Sequence, residues 1–183
     1  RTLLIDFDLR RQRLGHIYQM PETTESLIHA LDAGDPAAFS RLPFSSGYAN
    51  LDIVASRATS ELSPAEIMGN PIVKEFIKWA RGNYDRVIVD APPYGVVGDA
   101  LALAHLVGSV VLICRPHRSR RRTILHTIEQ LQETGANILG VIMTDVDFNK
   151  GLDRYFNYYD HYTYYGLQHT DGSHKSKKPR TAD

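Results

Sequence analysis

Val87-Ile-Val-Asp90-Ala-Pro-Pro93 is the segment that decides the fold. In it an unbroken apolar run is followed at once by an aspartate and then by small residues and prolines. Leu3-Leu-Ile-Asp6-Phe-Asp8 has a similar form near the start of the chain. Apolar runs of this kind are typical of strands that are buried on both faces of a parallel sheet. The two segments therefore predict two strands of one parallel sheet, each ending in a carboxylate.

Helical patterns alternate with further strands of the same kind. Strands are predicted at residues 2–5, 51–55, 86–89, 110–114 and 138–143. Helices are predicted at residues 24–33, 99–106 and 123–133, after the capping box Ser63-Pro64-Ala65-Glu66, and from Asn70-Pro71 onward, with Gly82 after the end of that helix. This alternation predicts an α/β fold with a doubly wound, mostly parallel sheet. We expect this domain to span residues 1–150, followed by a tyrosine cluster at 151–167 and a disordered tail at 168–183.

Composition excludes several classes of protein. The chain has 183 residues and equal numbers of basic and acidic residues, 21 each, so a general nucleic-acid binder, which is usually basic, is not expected. A single cysteine, Cys114, fits a reducing compartment. The longest apolar stretch, residues 100–114, is interrupted by polar residues and is too short to cross a bilayer. Because the chain opens directly on a strand, we expect further chain upstream of Arg1.

Three carboxylates follow the predicted strands. Asp6 and Asp8 come after the first strand and Asp90 after the third. Ligands of parallel sheets bind at the carboxyl ends of the strands, so the three converge if these strands are neighbours. A lone aspartate in this position is most often a turn or capping residue. Three at two strand ends instead favour a Mg²⁺ site that is completed by water and phosphate.

Six of the ten tyrosines lie within eleven residues near the C-terminus. They are Tyr155, Tyr158, Tyr159, Tyr162, Tyr164 and Tyr165. Their spacing follows neither strict alternation nor a helical stripe, so the cluster predicts an accessible set of phosphorylation sites. The alternative is an aromatic segment that packs on a partner or pairs as an edge strand.

These motifs together resemble the P-loop-type bacterial tyrosine kinases that regulate capsule and exopolysaccharide export. Leu3-Leu-Ile-Asp6-Phe-Asp8-Leu-Arg10 resembles their second Walker A-like motif, and residues 87–93 followed by Asp99 resemble their Walker B segment. Residues 63–68 resemble their Asn-Pro-x-Glu-Leu-Leu segment, and residues 138–143 resemble the strand that follows their last core helix. The tyrosine cluster resembles their autophosphorylation sites.

The resemblance implies an ATP-dependent protein-tyrosine kinase with ATP and Mg²⁺ as cofactors. Asp6, Asp8 and Asp90 would organise Mg²⁺ and the reacting hydroxyl, and either Asp6 or Asp8 would accept the proton. Arg10 and Arg115 match family arginines near the nucleotide. The implied partners are a second copy that phosphorylates the tail in trans, a membrane-spanning polysaccharide adaptor and a tyrosine phosphatase. The implied location is cytoplasmic, at the inner face of the plasma membrane, reached through an upstream or partner transmembrane segment.

The sequence departs from the family pattern at two points. The loop Gly-x-x-x-x-Gly-Lys-[Ser/Thr], whose amides and lysine hold phosphates, does not occur in the chain. We expect it to lie upstream, and we expect the chain by itself to bind ATP poorly. The family usually has asparagine against the nucleotide base where this sequence has Thr144, followed by Asp145.

Two other functions stay open. Partition and septum-site ATPases share this architecture and hydrolyse ATP, but they do not have the tyrosine cluster. A kinase-dead, phosphorylatable regulatory module of an export complex would explain the cluster without the phosphate loop. A further open feature is the crowding of Arg118, Arg120, Arg121 and Arg122 at the start of a predicted helix, where cations are disfavoured. It is either a solvated basic face or a contact for an anion.

Overall fold

The computed structural model describes residues 1–57, 63–94, 99–116 and 118–146. The chain divides into two compact units, Arg1–Thr144 and Asp145–Asp183. Of the second unit, only residues 145 and 146 belong to the described part. The tyrosine cluster therefore lies outside the described residues, and so does Gly95-Val-Val-Gly98.

The first unit is built from alternating strands and helices, as predicted. The strands are β1 (Thr2–Asp6), β2 (Phe44–Ser45), β3 (Leu51–Val54), β4 (Arg86–Asp90), β5 (Ser109–Cys114) and β6 (Asn137–Met143). The helices are α1 (Leu14–Ile17), α2 (Leu27–Ala33), α3 (Pro64–Gly69), α4 (Pro71–Asn83), α5 (Asp99–Val107) and α6 (Arg121–Glu133), with a 3₁₀ helix at Pro36–Arg41.

The strands form two sheets with mostly parallel pairing. The larger sheet has the order β2-β3-β1-β4, and β5 pairs with β6 in a second sheet. β1 runs parallel to both β3 and β4, and β5 runs parallel to β6, whereas β2 is antiparallel to β3. The first and third predicted strands are therefore neighbours, as the proposed convergence of the carboxylates requires.

Helix α4 buries its predicted apolar face. Val73, Phe76, Ile77 and Ala80 are all buried, and the ring of Phe76 lies 5.2 Å from that of Phe39, measured between centroids. Asn70 caps this helix by accepting a hydrogen bond from the amide of Ile72. The capping box of α3 is also present, with both reciprocal hydrogen bonds between Ser63 and Glu66.

Several boundaries differ from the sequence prediction. Helix α2 begins at Leu27 rather than at residue 24, because the amides of Leu27 and Ile28 donate to the Ala55 carbonyl and the Ser56 hydroxyl at the end of β3. Helix α4 continues through Gly82 to Asn83, so the prediction that Gly82 follows its end was wrong. Elements α1 and β2 and the 3₁₀ helix were not predicted, since they are too short to show a periodic pattern.

The expectation that the whole sheet is covered on both faces was also wrong for the described residues. β1 and β3 are deeply buried, but apolar side chains on β4, β5 and β6 are exposed. They are Ile88, Val111, Ile113, Leu139, Val141, Ile142 and Met143. By the register of β5 with β6, Val111, Ile113 and Ile142 lie on one face of that sheet, which is exposed in the part of the chain that the structure describes. Val141 and Met143 are exposed on the opposite face of β6.

Candidate active site

Asp6 and Asp90 lie side by side at the carboxyl ends of two paired strands. In the parallel register of β1 and β4, Asp6 is opposite Asp90, and the amide of Phe7 donates to the Asp90 carbonyl at 2.8 Å. This pairing places residues 3–8 beside residues 87–93, the two segments on which the sequence prediction was based. It also places the Asp-x-Asp motif and the Walker B-like aspartate at one edge of the sheet.

The carboxylate of Asp6 organises the loop that follows β1. It is buried, with 1% of the residue exposed. Its Oδ1 accepts the amide of Asp8 at 3.2 Å, and its Oδ2 accepts the amides of Arg13 and Leu14, each at 2.9 Å. These bonds supply the start of α1 with a cap that no neighbouring side chain provides. The sequence offered no signal for this role, because the capping residue lies seven positions before the capped turn.

Asp8 is only half-buried and shapes the next turn. Its Oδ1 accepts the amides of Arg10 at 3.2 Å and Arg11 at 3.0 Å. Arg10 is exposed, and its backbone amide is the group that contacts Asp8. The Asp-x-Asp-x-Arg motif is thus a tight loop in which each aspartate holds backbone amides.

The site concentrates negative charge. Burial raises the pKa of Asp6, although amide hydrogen bonds from Leu14, Arg13 and Asp8 oppose that rise. Loss of contact with water raises the pKa of Asp90, and the charges of Asp6 and Asp8 raise it further. Like charges held close together favour a cation between or beside them.

Carboxylate oxygens are the ligands that Mg²⁺ prefers, so the chemistry of these residues fits that ion. The described residues contain no group of three or more histidine, cysteine, aspartate or glutamate side chains placed to hold a metal by themselves. Mg²⁺ usually takes only one or two carboxylates and completes its shell with water and phosphate. Asp90 and one aspartate of the loop would meet that requirement.

The other predicted site residues lie on the second sheet. Arg115 follows β5 and Thr144 follows β6, and the Thr144 amide donates to the Cys114 carbonyl at 2.9 Å. Both residues are exposed. The hydrogen bonding of the sheets joins Asp6 to Asp90 and Thr144 to the end of β5, but no strand pairing joins the two sets in the described chain.

A cavity lies between the two sheets. It has a volume of about 380 Å³ and is lined by Val89 and Asp90, by the four residues that follow Asp90 and by residues of α5, β5 and α6. Pro92 is buried beside it. No local pattern in the sequence indicates this cavity, since its walls come from four separate segments.

No helix in the described part of the chain is long and apolar enough to cross a membrane. No model of a known protein family matches the chain.

Sequence relatives are named as tyrosine kinases. The putative tyrosine-protein kinase EpsB of Ralstonia solanacearum is 32% identical over 173 residues, which are 94% of this chain and 22% of EpsB. Tyrosine-protein kinase CpsD of Streptococcus agalactiae is 27% identical over 162 residues, covering 86% of this chain and 67% of CpsD. The chain therefore spans about a fifth of EpsB and two thirds of CpsD.

Solved structures agree with these relatives. The kinase domain of VpsO superimposes with a TM-score of 0.71 at 25% identity, covering 80% of this chain and 70% of that domain. The kinase domain of Escherichia coli ETK gives 0.71 at 25% identity, with 82% and 58% covered. The septum site-determining protein MinD from Pyrococcus horikoshii, solved with Mg-ADP, gives 0.63 at 20% identity, with 78% and 56% covered, which shows a shared fold alone. By sequence along most of its length and by fold, the chain belongs to the P-loop-type bacterial tyrosine kinases.

Proposed function

We propose that the chain provides the metal-binding and substrate-binding carboxylates of an ATP-dependent protein-tyrosine kinase that regulates capsular or exopolysaccharide synthesis and export. The observation that carries the proposal is the register of Asp6 opposite Asp90, with the pKa of both carboxyls raised. The MinD-type fold makes a septum-site ATPase the second candidate. The kinase is favoured because the sequence relatives are named tyrosine kinases and because the chain carries the tyrosine cluster.

The reaction transfers the γ-phosphoryl group of ATP to a phenol. The tyrosine oxygen forms a bond to the γ-phosphorus, the bond from that phosphorus to the bridging oxygen breaks, and ADP leaves. The phenol, with an ordinary pKa of about 10, gives its proton to a carboxylate. Mg²⁺, when bound, would neutralise phosphate charge as the transfer proceeds. Asp90 would hold that ion.

Asp6 and Asp8 are the two candidates for the proton acceptor. Burial raises the pKa of Asp6, which makes its carboxylate more basic than an ordinary one, but both of its oxygens already accept amides. Asp8 has one oxygen engaged with the turn and is only half-buried. Replacing each with asparagine separates the roles, because only the base is needed for the chemical step while Asp6 also holds the loop.

The phosphate cradle would occupy the gap between β4 and β5. In the described chain β4 pairs only with β1 and β5 only with β6, so each has a free edge facing the cavity beside Asp90. The exposed side chains of Ile88, Val111 and Ile113 lie on the two strands that border this gap. One further parallel strand followed by a loop and a helix would pair with both edges and cover this face. Its loop would emerge at the carboxyl end, next to Asp90.

The substrate would be the tyrosine cluster of a second copy, phosphorylated in trans. A membrane-spanning polysaccharide adaptor and a tyrosine phosphatase are the other expected partners, and the inner face of the plasma membrane is the expected location. Phosphorylation adds about −1.5 to −2 charges per tyrosine, so six sites would add about −9 to −12. That charge would weaken an assembly of neutral chains by mutual repulsion wherever no cationic surface of a neighbouring copy pairs with it.

The test uses the full gene product that contains this chain. Incubated with ATP and Mg²⁺, it should acquire phosphate on Tyr155 to Tyr165, detected by mass spectrometry. Asp90→Asn should slow this by roughly a hundredfold or more, the usual scale for removing a group that stabilises transition-state charge. Glu75→Gln, an exposed charge on α4, is the control and should leave the rate unchanged.

Other outcomes point to the other functions. ATP hydrolysis without tyrosine phosphate, with equal loss in Asp90→Asn, would support the septum-site type of ATPase. No ATP binding by the full gene product, together with a tail that another kinase phosphorylates, would support the regulatory module.

A further inference from the structure

A groove between α4 and α5 has Lys or Arg side chains as half of its lining residues and is not part of the carboxylate site. It has a volume of about 430 Å³. Its lining residues are Lys74, Ile77, Lys78, Arg81, His105 and Leu106. The carboxylates of the candidate active site do not line it.

The cations of the groove stand in one row. Lys74, Lys78 and Arg81 follow the spacing i, i+4, i+7, so they share one side of α4. All three are exposed, and no ion pair within the described residues engages any of them. Charges of one sign in such a row repel each other unless an anion lies between them.

The floor of the groove is apolar. Ile77 is 4% exposed and Leu106 is half-buried. His105 adds a polar group at the end of α5, where its Nδ1 lies 3.2 Å from the Thr134 carbonyl oxygen. The groove therefore combines a cationic rim with a hydrophobic base, which suits a ligand that is anionic at one end and flat and apolar at the other.

We propose that this groove binds a phosphotyrosine side chain from the tyrosine cluster of a second copy. The phosphate would accept charge-assisted hydrogen bonds from Lys74, Lys78 and Arg81, and the ring would cover Ile77 and Leu106. Phosphorylated motifs are commonly recognised by clustered cations in this way. The proposal rests on the proposed kinase function only for the origin of the phosphate.

The arginines at the start of α6 are the competing surface. Arg120 is the N-cap of that helix without a side-chain cap, and the first turn contains no acid. Arg118, Arg121 and Arg122 are exposed. This helix end is cationic, so a phosphate held by charge alone would bind it as tightly as it binds the groove. The two surfaces carry comparable charge, so each serves as the control for the other.

The experiment measures binding of synthetic, fluorescently labelled peptides of residues 151–167 to the full chain by anisotropy. The peptides carry phosphate on Tyr158 and Tyr159, no phosphate, or phosphoserine at those two positions. The phosphotyrosine peptide should bind at least about tenfold more tightly than either of the others, because it alone supplies both charge and ring. Synthetic peptides make the result independent of whether the protein is a kinase.

Two double variants locate the site. Lys74→Gln with Lys78→Gln should weaken binding by about tenfold, through the loss of charge-assisted hydrogen bonds. Arg121→Gln with Arg122→Gln removes the same charge elsewhere and should leave affinity unchanged. Lys78→Glu provides a second groove variant, and thermal melting verifies that each protein is folded.

Three results would overturn the proposal. The first is equal affinity for phosphotyrosine and phosphoserine peptides, which would remove the role of the apolar floor. The second is a loss of peptide affinity in the α6 variant alone, which would place the site at the helix end, or an equal loss in both double variants, which would indicate attraction by general charge. The third is unchanged peptide binding in the groove variants together with lost binding to phosphatidylserine vesicles, which would make the groove a membrane contact.

Discussion

The two sheets, which form two halves of the first unit, differ in how they are covered. In the half formed by β1 and β3, Leu3, Ile5, Ile53 and Val54 are 0% exposed. In the half formed by β5 and β6, Ile113 is 65% exposed and Leu139 is 66% exposed, although the strands are similarly apolar. An apolar strand sequence therefore indicates that a face is to be covered, but it does not say that the cover is part of the same stretch of chain.

This difference in coverage also describes the position of the candidate site. Asp6 and Asp90 lie at the ends of β1 and β4, where the well-covered half borders the exposed one. The loop after β1 is fixed by packing and by buried hydrogen bonds, whereas the other side of Asp90 opens on the cavity toward β5. One wall of the site is thus complete, and the other is available to the phosphate-binding unit proposed above.

The largest expected effect compares one apolar strand residue from each half. Ile5→Ala should lower the free energy of unfolding of the chain by about 2–5 kcal/mol, because it leaves a cavity in a packed core. Ile113→Ala removes a side chain that is 65% exposed and should change it by less than about 0.5 kcal/mol. Urea denaturation of both variants measures the two costs.

The cost of Ile113→Ala should also be measured in the full gene product. If further chain covers β5 there, Ile113→Ala should become as costly as a core substitution. A small cost in both contexts would contradict the idea that this face is a docking surface for another part of the domain.

The second prediction separates the two paired aspartates. Asp6→Asn should destabilise the chain by about 2 kcal/mol, because an amide nitrogen in place of Oδ2 leaves the buried N–H groups of Arg13 and Leu14 without an acceptor. Asp90→Asn should keep or slightly raise the melting temperature, because it removes a charge that Asp6 and Asp8 repel. Equal destabilisation by both would show that Asp90 has a structural role that the hydrogen bonds do not reveal.

The third prediction concerns the far end of the well-covered half. The Tyr84 hydroxyl donates to Asp52 Oδ2 at 3.0 Å, and burial together with that carboxylate raises the pKa of Tyr84 to about 12. Tyr84→Phe should cost about 1 kcal/mol at neutral pH through the lost hydrogen bond.

Alkaline titration provides the check on Tyr84. Since its pKa is raised on folding, its contribution is full below the unfolded value near 10 and is lost as pH rises through about 12. The absorbance of phenolate should therefore show one late-ionising tyrosine that is missing in Tyr84→Phe. An unchanged titration would mean that the Asp52 contact does not persist in solution.

Much of the fold could be predicted because its long elements carry their own signals. Continuous apolar runs marked β1, β4 and β5, and caps at Ser63 and Asn70 marked two helices. The adjacency of Asp6 and Asp90 also followed from the sequence, once the strands were taken to be parallel neighbours. The register of β1 with β4 meets that condition for Asp6 and Asp90.

What could not be predicted depends on contacts between distant residues. Helix α1 has four residues and is capped by a carboxylate from β1, so no local pattern specifies it. The start of α2 is fixed by the end of β3. The cation groove requires α4 and α5 to be adjacent, and neither helix indicates this by itself. The roles of Asp6, Asp8, Asp90, Arg10, Arg115 and Thr144 and the phosphorylation of the tyrosine cluster stay predictions.

The smallest expected effect is the pH dependence that Asp90 contributes at the border between the halves. Its pKa is raised in the folded chain, so the folded state binds a proton more tightly than the unfolded state does. The stability that it contributes is full below the unfolded carboxyl pKa of about 3.9 and is lost as pH rises through the folded value. Glu66 and Asp85 have lowered pKa values and give the opposite slope, so the total curve does not isolate Asp90. The informative quantity is the difference in unfolding free energy between wild type and Asp90→Asn, followed from about pH 3.5 to 7. It should shift steadily in favour of the variant as pH rises and then level off.

Because Asp6 and Asp8 produce part of the rise in the pKa of Asp90, added Mg²⁺ should shrink this difference at neutral pH if the ion binds between the carboxylates. A difference that does not respond to Mg²⁺ would mean that the ion needs the phosphate-binding half of the site before it can bind.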